Sequence, residues 1–409
     1  MNFSTRKSWA MIVFLWLCGV FAAVQIAKVS VIFQDYSAYL GADTAGNALQ
    51  AGLLIGAVSI VPMVLGFLSG PIFQRMGYRN VLLASLLLGS LCSLHQAFDT
   101  DLTRILLSRV FEGFSMLGIV VVAPILITQI SSAKIISLSM SLWATFFGFA
   151  FAISGWAAPV LIAIGGYPLV FAAHAGVLVL LAVLTVFIIP NAVNGADNKL
   201  QDAEQASKIG EVVRELLQDV ARSIRKYAVL APGVVFLAHT LLYTPILTFL
   251  PPFISDGRNL GTLVFELSMV SILGTIVSGP LAQYLLNPIR TMFLGFLGMV
   301  AALIALLALP GLDAGASYTL ALLLLFFSGM IQGTVFSSIG YVNTSEYDRV
   351  VSNSTTVQLG NIGSTFGPMI FALVVVSGYA PLLWGFVLLT VLGLVAVLFV
   401  RTPKKARAV

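Results

Sequence analysis

Ser69-Gly70-Pro71-Ile72-Phe73-Gln74 closes a hydrophobic run near the start of the chain, and Ser278-Gly279-Pro280-Leu281-Ala282-Gln283 closes another past its middle. Each copy leads into a short turn carrying Arg79 or Arg290. Further matches keep nearly the same offset: Glu112-Gly113 is answered by Gln332-Gly333, and Ser139 with Gly148 by Ser354 with Gly363. Repetition on this scale means that one plan has been used twice along the chain.

Composition says what that plan builds. The 409 residues are 59% hydrophobic and 9% charged, with a mean hydropathy of +1.02. A soluble domain carries about 25% charged residues, so a fully water-facing surface cannot be made from this chain. Apolar runs recur at roughly the 20-residue length that crosses about 30 Å of hydrocarbon as a helix. Twelve are predicted, at about 9–33, 48–72, 80–98, 103–129, 138–164, 168–190, 228–254, 262–285, 291–310, 317–341, 353–377 and 380–400. Backbone polar groups inside such runs must be satisfied internally, so the fold class is an all-α membrane protein of twelve transmembrane helices in two six-helix pseudo-symmetric halves. The predicted organisation is 1–190 for the first half, 191–227 for a linker and 228–409 for the second half. Two similar six-span halves are the usual build of a secondary transporter, with the binding site where the halves meet.

Charge orients the spans. With the N-terminus inside, the inner segments collect Arg6, Lys7, Arg75, Arg79, Lys134, the basic residues of the linker, Arg290, Arg349, Arg401, Lys404, Lys405 and Arg407. Arg104 and Arg258 fall outside, among Asp43, Asp99, Asp101, Asp256 and Asp313. This is the positive-inside pattern, and it predicts a bacterial inner-membrane protein with both termini cytoplasmic. The net charge of +5 is therefore a topology signal that gives a nucleic-acid partner no support. The first apolar stretch follows two basic residues as a signal peptide would, but its length of about 25 residues makes it a span. Cys18 and Cys92 lie inside spans, which argues against disulfides and thiolate metal sites. In the linker, Ile209, Val212, Val213, Leu216, Val220 and Ile224 keep helical spacing with charges opposite, and Arg222, Arg225 and Lys226 gather at its end. This predicts an amphipathic cytoplasmic helix along the lipid headgroups that tethers the halves.

The turn after the second span carries the signature of a known family. Gly70, Gln74, Arg75, Gly77, Tyr78 and Arg79 resemble the Gly-x-x-x-Asp-Arg-x-Gly-Arg-Arg/Lys motif of the major facilitator superfamily, with Gln74 in the acidic position and Tyr78 in the first of the paired basic ones. The resemblance covers the whole chain. It implies that this turn latches the halves in one state, in a form that lacks its usual acid. Arg109-Val110-Phe111-Glu112-Gly113 resembles the family's fourth-span arginine motif, and Gly148, Gly155 and Pro159 a loose glycine–proline motif of exporters. Glu112-Gly113, Pro124, Leu142-Trp143 and Gly148 together look like the cyanate-permease-like branch of bacterial facilitators. The resemblance also implies that the first, fourth, seventh and tenth spans line a cavity and that the protein works as a monomer.

Charges within spans are expensive, so they are the natural site candidates. Arg109 and Glu112 stand three apart and share one helix face, where they can pair. Functionally, Arg109 holds an anionic group and Glu112 carries a proton; the bland alternative is a static ion pair. Lys28 lies about a turn beyond Gln25, where it either binds anions or snorkels to the outer headgroups. His239 and Tyr243, four apart in the seventh span, offer a titratable ring and a hydroxyl on one face. Gln332, Gln358 and Asn361 set uncharged hydrogen-bonding groups opposite the charged first half, and Trp143 is the aromatic residue expected at the cavity. His174 and His95 read as structural or peripheral, Asp35 as a solvated residue at the outer mouth, and Glu266 and Glu346 as interfacial.

No nucleotide-binding loop, metal-ligand cluster or nucleophile–base arrangement occurs, so the reading is of a protein that is no enzyme and needs no cofactor. The leading expectation is a proton-linked carrier of a small organic or inorganic anion. The alternative is a proton-antiport efflux carrier for drugs or metal-chelating metabolites such as siderophores. The expected partners are the small-molecule substrate, protons and membrane lipids.

Overall fold

A computed structural model describes residues 5–42, 47–132, 135–190, 226–308 and 313–400. Among these residues eleven helices are long and apolar enough to cross a membrane. One of them, Phe146–Ile188, is two spans. Its 43 residues would reach roughly 65 Å as a straight helix, about twice the hydrocarbon thickness. The chain turns at Gly165 and Gly166, where φ of Gly166 is 70°, a left-handed backbone that glycine adopts without a side-chain penalty. Twelve spans result. The first is Arg6–Val31, the second Ala48–Gly70, the third Tyr78–Phe98 and the fourth Leu102–Ile130; the fifth and sixth flank the Gly165–Gly166 turn. The seventh to twelfth are Tyr227–Phe249, Leu260–Leu285, Pro288–Ala308, Ala314–Val342, Glu346–Val375 and Tyr379–Leu398. The expected amphipathic linker helix, and the basic residues Lys134, Arg401, Lys404, Lys405 and Arg407, lie outside the described residues.

Local chemistry explains the boundaries. Asp101, Asn259 and Asp313 cap the fourth, eighth and tenth spans by accepting from the N–H groups of Arg104, Thr262 and Ala316 at 2.9, 3.2 and 2.6 Å. The eleventh span begins at Glu346 rather than near 353, because Ser345 caps it from Asp348 N–H at 3.0 Å and two acids occupy its first turn. The second span is not one helix. Ala48–Gly56 passes through a tighter turn, Ala57–Ser59, into Ile60–Met76. Pro62 has no N–H to give the Val58 carbonyl, which loosens the ladder there. The fourth span lies close against this break: a Cβ on Gly113 would stand 2.6 Å from the Val58 carbonyl oxygen.

The halves meet along two seams, the second span against the eleventh and the fifth against the eighth. A Cβ on Gly52 would stand 2.6 Å from Met369 Cα, and one on Gly155 would stand 2.8 Å from Phe265 N, so glycine alone permits these approaches. Both contacts belong to the end of the bundle opposite the termini, the far end. Side-chain hydrogen bonds tie the halves, among them Ser30 with Thr248 near the far end and Gln358 Nε2 to the Met63 carbonyl at mid-depth (3.0 Å). Phe33 also meets Phe249 edge to face at 5.1 Å. At the end bearing the termini, Gly70 and Gly279 face open space, and Tyr284 and Leu285 are exposed.

Candidate functional site

The fourth span sets the site. Arg109 and Glu112 share its inward face, as their spacing predicts, and Arg109 Nη1 donates to Glu112 Oε2. Gln96 Nε2, from the third span, donates to the same oxygen at 2.9 Å and reaches Ser108 Oγ at 2.7 Å. The other carboxylate oxygen, Oε1, receives Lys28 Nζ from the first span at 2.7 Å. Lys28 is 1% exposed and Arg109 and Glu112 are 0% exposed. Lys28 does not snorkel. Its three N–H bonds have three acceptors: Glu112, Ser93 Oγ at 2.6 Å and His174 Nδ1 at 3.1 Å. Phe171 lies 5.1 Å from the ammonium and covers it.

His174, read as structural or peripheral, is not peripheral: it belongs to this cluster. Its Nε2 stands 2.9 Å from the Phe21 carbonyl oxygen. A carbonyl only accepts, so Nε2 carries the hydrogen and Nδ1 offers its lone pair to Lys28 and to Ser93 Oγ at 2.9 Å. The neutral ring leaves two cations against one carboxylate, a surplus of one positive charge. Arg109 spends Nε on the Leu54 carbonyl at 2.8 Å, in the helical segment before the break of the second span. Its Nη2 is buried and meets no acceptor among the described residues. Ser93, Gln96 and His174 were missed because their partners stand on other spans. His95 pairs instead with Asp99 at 3.2 Å, beside the exposed Arg104–Asp99 bridge. Arg104 pulls the Asp99 carboxyl down to about 2.

The remaining predicted residues stand apart from this charge. Gln25 is buried, donates to Ser115 Oγ at 2.8 Å, and has no partner for Oε1. Trp143 packs over Gly19, where a Cβ would stand 2.5 Å from the indole, and stacks on Phe146 at 4.7 Å. From there, rings run through Phe147, Tyr243, His239 and Phe236 to Phe336, crossing from one half to the other. His239 Nε2 meets Ser328 Oγ at 3.1 Å, while Nδ1 is buried without a partner. Tyr243 and Ser271 face the same small space. Both line or adjoin a cavity of about 10 Å³ between Thr145, Gly148, Tyr243, Ser271, Thr275 and Gln332, room for about one water. Gln358 and Asn361 are joined at 3.2 Å, and Gln358 lies on Gly66 of the second span, so their amides brace the halves.

In the second-to-third turn, Gly77 takes φ of 84° and starts the third span, while Gln74 O accepts its N–H at 3.3 Å. Arg79 Nη2 donates to the Val186 carbonyl at the end of the sixth span, within its own half, at 2.8 Å. Gly70 and Arg75 lie before this turn, in the helix Ile60–Met76. Asp35 is exposed at the far end, Glu346 is exposed in the first turn of its helix, and Glu266 accepts from Tyr318 at 3.0 Å.

The sequence model of the Major Facilitator Superfamily matches residues 15–360. No curated protein sequence matches this one. In fold the chain is similar to the xylose transporter XylE from E. coli in its partially occluded inward-open conformation, with a TM-score of 0.77 at 14% identity over 98% of this chain and 99% of that one. The inward-open conformation of XylE gives a TM-score of 0.75 at 14% identity over 97% of both chains. A bacterial homologue of the human lysosomal transporter Spinster, inward-facing and unoccupied, gives 0.67 at 15% identity over 97% of this chain and 95% of that one. At these identities the likeness is one of fold.

Proposed function

Because the chain belongs to the Major Facilitator Superfamily, and is therefore a multi-pass secondary transporter working by alternating access rather than an enzyme, we propose that its solute is a small anion moved together with protons. The observation that carries the reading is Arg109 Nη2, a guanidinium edge with no acceptor in a buried cluster that holds one more cation than acid. A buried charge without a partner is costly, and an anion supplies both the missing acceptor and the missing charge. The bidentate geometry of a guanidinium suits a carboxylate or a small oxyanion. Lys28 adds a second positive charge from the first span, and Glu112 divides the two cations. In this reading the protein sits as a monomer in the bacterial inner membrane with both termini in the cytoplasm, where the Lys and Arg bias puts them.

Thermal unfolding of the detergent-purified chain against acetate, benzoate, nitrate and phosphate tests the reading. An anion that binds only the folded state stabilises it by RT ln(1 + [L]/Kd). Stabilisation by one class of these anions, lost in Lys28→Met, is the expected result; silence from every anion overturns it. The rings from Trp143 to Phe336 favour a second reading, efflux of amphipathic compounds in exchange for protons. Stabilisation by tetraphenylphosphonium alone would move the assignment there.

A further inference from the structure

Resting on the anion reading, we propose that His174 is the residue that links the proton to the anion: its Nδ1 takes a proton from the aqueous phase, and the second surplus charge so created is met by the bound anion. Nε2 keeps its hydrogen on the Phe21 carbonyl throughout, so the ring goes from neutral to imidazolium and the cluster gains one unit of charge.

The cluster offers two places for a proton, and geometry separates them. Glu112 is surrounded by donors: Lys28 on Oε1, and Arg109 and Gln96 on Oε2. A carboxylic O–H there would displace a donor, and its one acceptor among these three neighbours is Gln96 Oε1, which would have to turn over to replace the Nε2 that now donates. His174 Nδ1 has a lone pair and a neighbour able to accept, the Ser93 hydroxyl at 2.9 Å. Lys28 stands 3.1 Å from the same nitrogen. An imidazolium and an ammonium cannot remain at that distance without a counter-charge, so the proton and the anion favour each other's binding. The charged groups that act on His174 are Lys28 on the first span and Arg109 and Glu112 on the fourth, and Cys92 on the third span faces those three. Glu112 is the one acid among them, and the two cations already share it. His239, the histidine expected to couple protons, has no charged partner among the described residues: its contacts are Ser328, Phe236 and Tyr243. A proton there would not be felt by an anion at Arg109.

The experiment takes whichever of acetate, benzoate, nitrate or phosphate stabilises the purified full chain and measures its affinity between pH 5 and pH 8, the range in which histidine charge changes. The wild type is expected to bind more tightly as pH falls, by up to tenfold per unit for one linked proton. His174→Gln should bind with no such slope, and His239→Gln should keep it. Ser93→Ala, the smaller change, removes the acceptor for Nδ1–H as well as one acceptor of Lys28; it should weaken binding about tenfold more at pH 5 than at pH 8. Thermal unfolding of each variant shows that it is folded. A slope that survives in His174→Gln overturns the proposal, and its loss in Glu112→Gln alone moves the proton to that residue. Binding that is flat with pH in the wild type overturns it as well. No binding by any of the anions at any pH would instead defeat the anion reading itself.

Discussion

Changing Lys28 to methionine and Glu112 to glutamine removes one charge each from the same buried contact, yet the two changes should differ sharply in stability. With Lys28, Arg109 and Glu112 all at 0–1% exposure, water cannot screen what remains. Glu112→Gln leaves two cations with no counter-charge and disturbs the acceptor used by Lys28, Arg109 and Gln96. Breaking a buried pair in this way costs about 3–5 kcal/mol. Lys28→Met keeps similar volume and leaves Arg109 and Glu112 as a balanced pair, while Ser93 and His174 still bond each other. Its loss is one donor to Glu112 Oε1, about 1–3 kcal/mol, set against the desolvation that the ammonium no longer demands. The expected gap is roughly 2 kcal/mol at the centre of these ranges, which at about 2–4 °C per kcal/mol for a unit of 150–250 residues separates the two unfolding temperatures by about 4–8 °C. Thermal unfolding in detergent reads it directly. Anions should recover part of the loss in Glu112→Gln and do nothing for Lys28→Met. Equal unfolding temperatures, or a Lys28→Met variant that falls further than Glu112→Gln, would refute the charge count on which the site is built.

Arg109→Lys keeps the charge but cannot reach the Leu54 carbonyl and Glu112 at once; anion affinity, from stabilisation against concentration, should fall at least about tenfold. Gly155→Ala places a Cβ 2.5 Å from the Gly261 carbonyl oxygen and 2.8 Å from Phe265 N, so the far end should open. Faster labelling of a cysteine introduced at Thr248 by a membrane-impermeant thiol reagent is the readout, and an unchanged rate argues against that seam. Gln358→Leu removes the bond to the Met63 carbonyl, worth about 1 kcal/mol or a fivefold shift between conformations. Spin-label distances between the second and eleventh spans should lengthen while the KM for uptake holds, whereas a substrate contact would raise KM. Asp99, pushed down to about 2 beside Arg104, contributes above the ordinary carboxyl range and loses its contribution as pH falls through about 2. Between pH 5 and pH 8 it is constant, so Asp99→Asn should leave the pH profile of anion binding unmoved.

Much of this architecture was legible in one dimension. The repeated Ser-Gly-Pro motif and the apolar runs carry the twelve spans, because a membrane reduces the fold to length and hydropathy. The three-residue spacing of Arg109 and Glu112 carries their pairing, because it needs only helix geometry. What could not be read depends on neighbours across spans. Lys28 sits close to its helix end, and distance along a helix does not give depth within a bundle; only the approach of Glu112, Ser93 and His174 shows that it stays inside. His174 lies among apolar residues with no polar partner at helical spacing, since its partners come from the first and third spans. Gln358 reads in the sequence as a binding residue, and its bond to the Met63 carbonyl and its place on Gly66 of the other half could not be read there. The early start of the eleventh span went unseen because Glu346 and Asp348 resemble a loop by hydropathy and act as first-turn acids.

The break in the second span has a consequence for how the two ends of the molecule communicate. Arg109 holds the Leu54 carbonyl and Gly113 presses on that of Val58 from one side, while Gly52 and Gly56 pack against the eleventh span on the other. This short stretch of backbone is thus a fulcrum with the charge cluster on one arm and the opposite half on the other. Any rearrangement that draws Arg109 away strands a carbonyl in a dry interior, and the cheapest remedy is for the fulcrum to tip. Damage there would leave solute recognition intact and the machine out of gear.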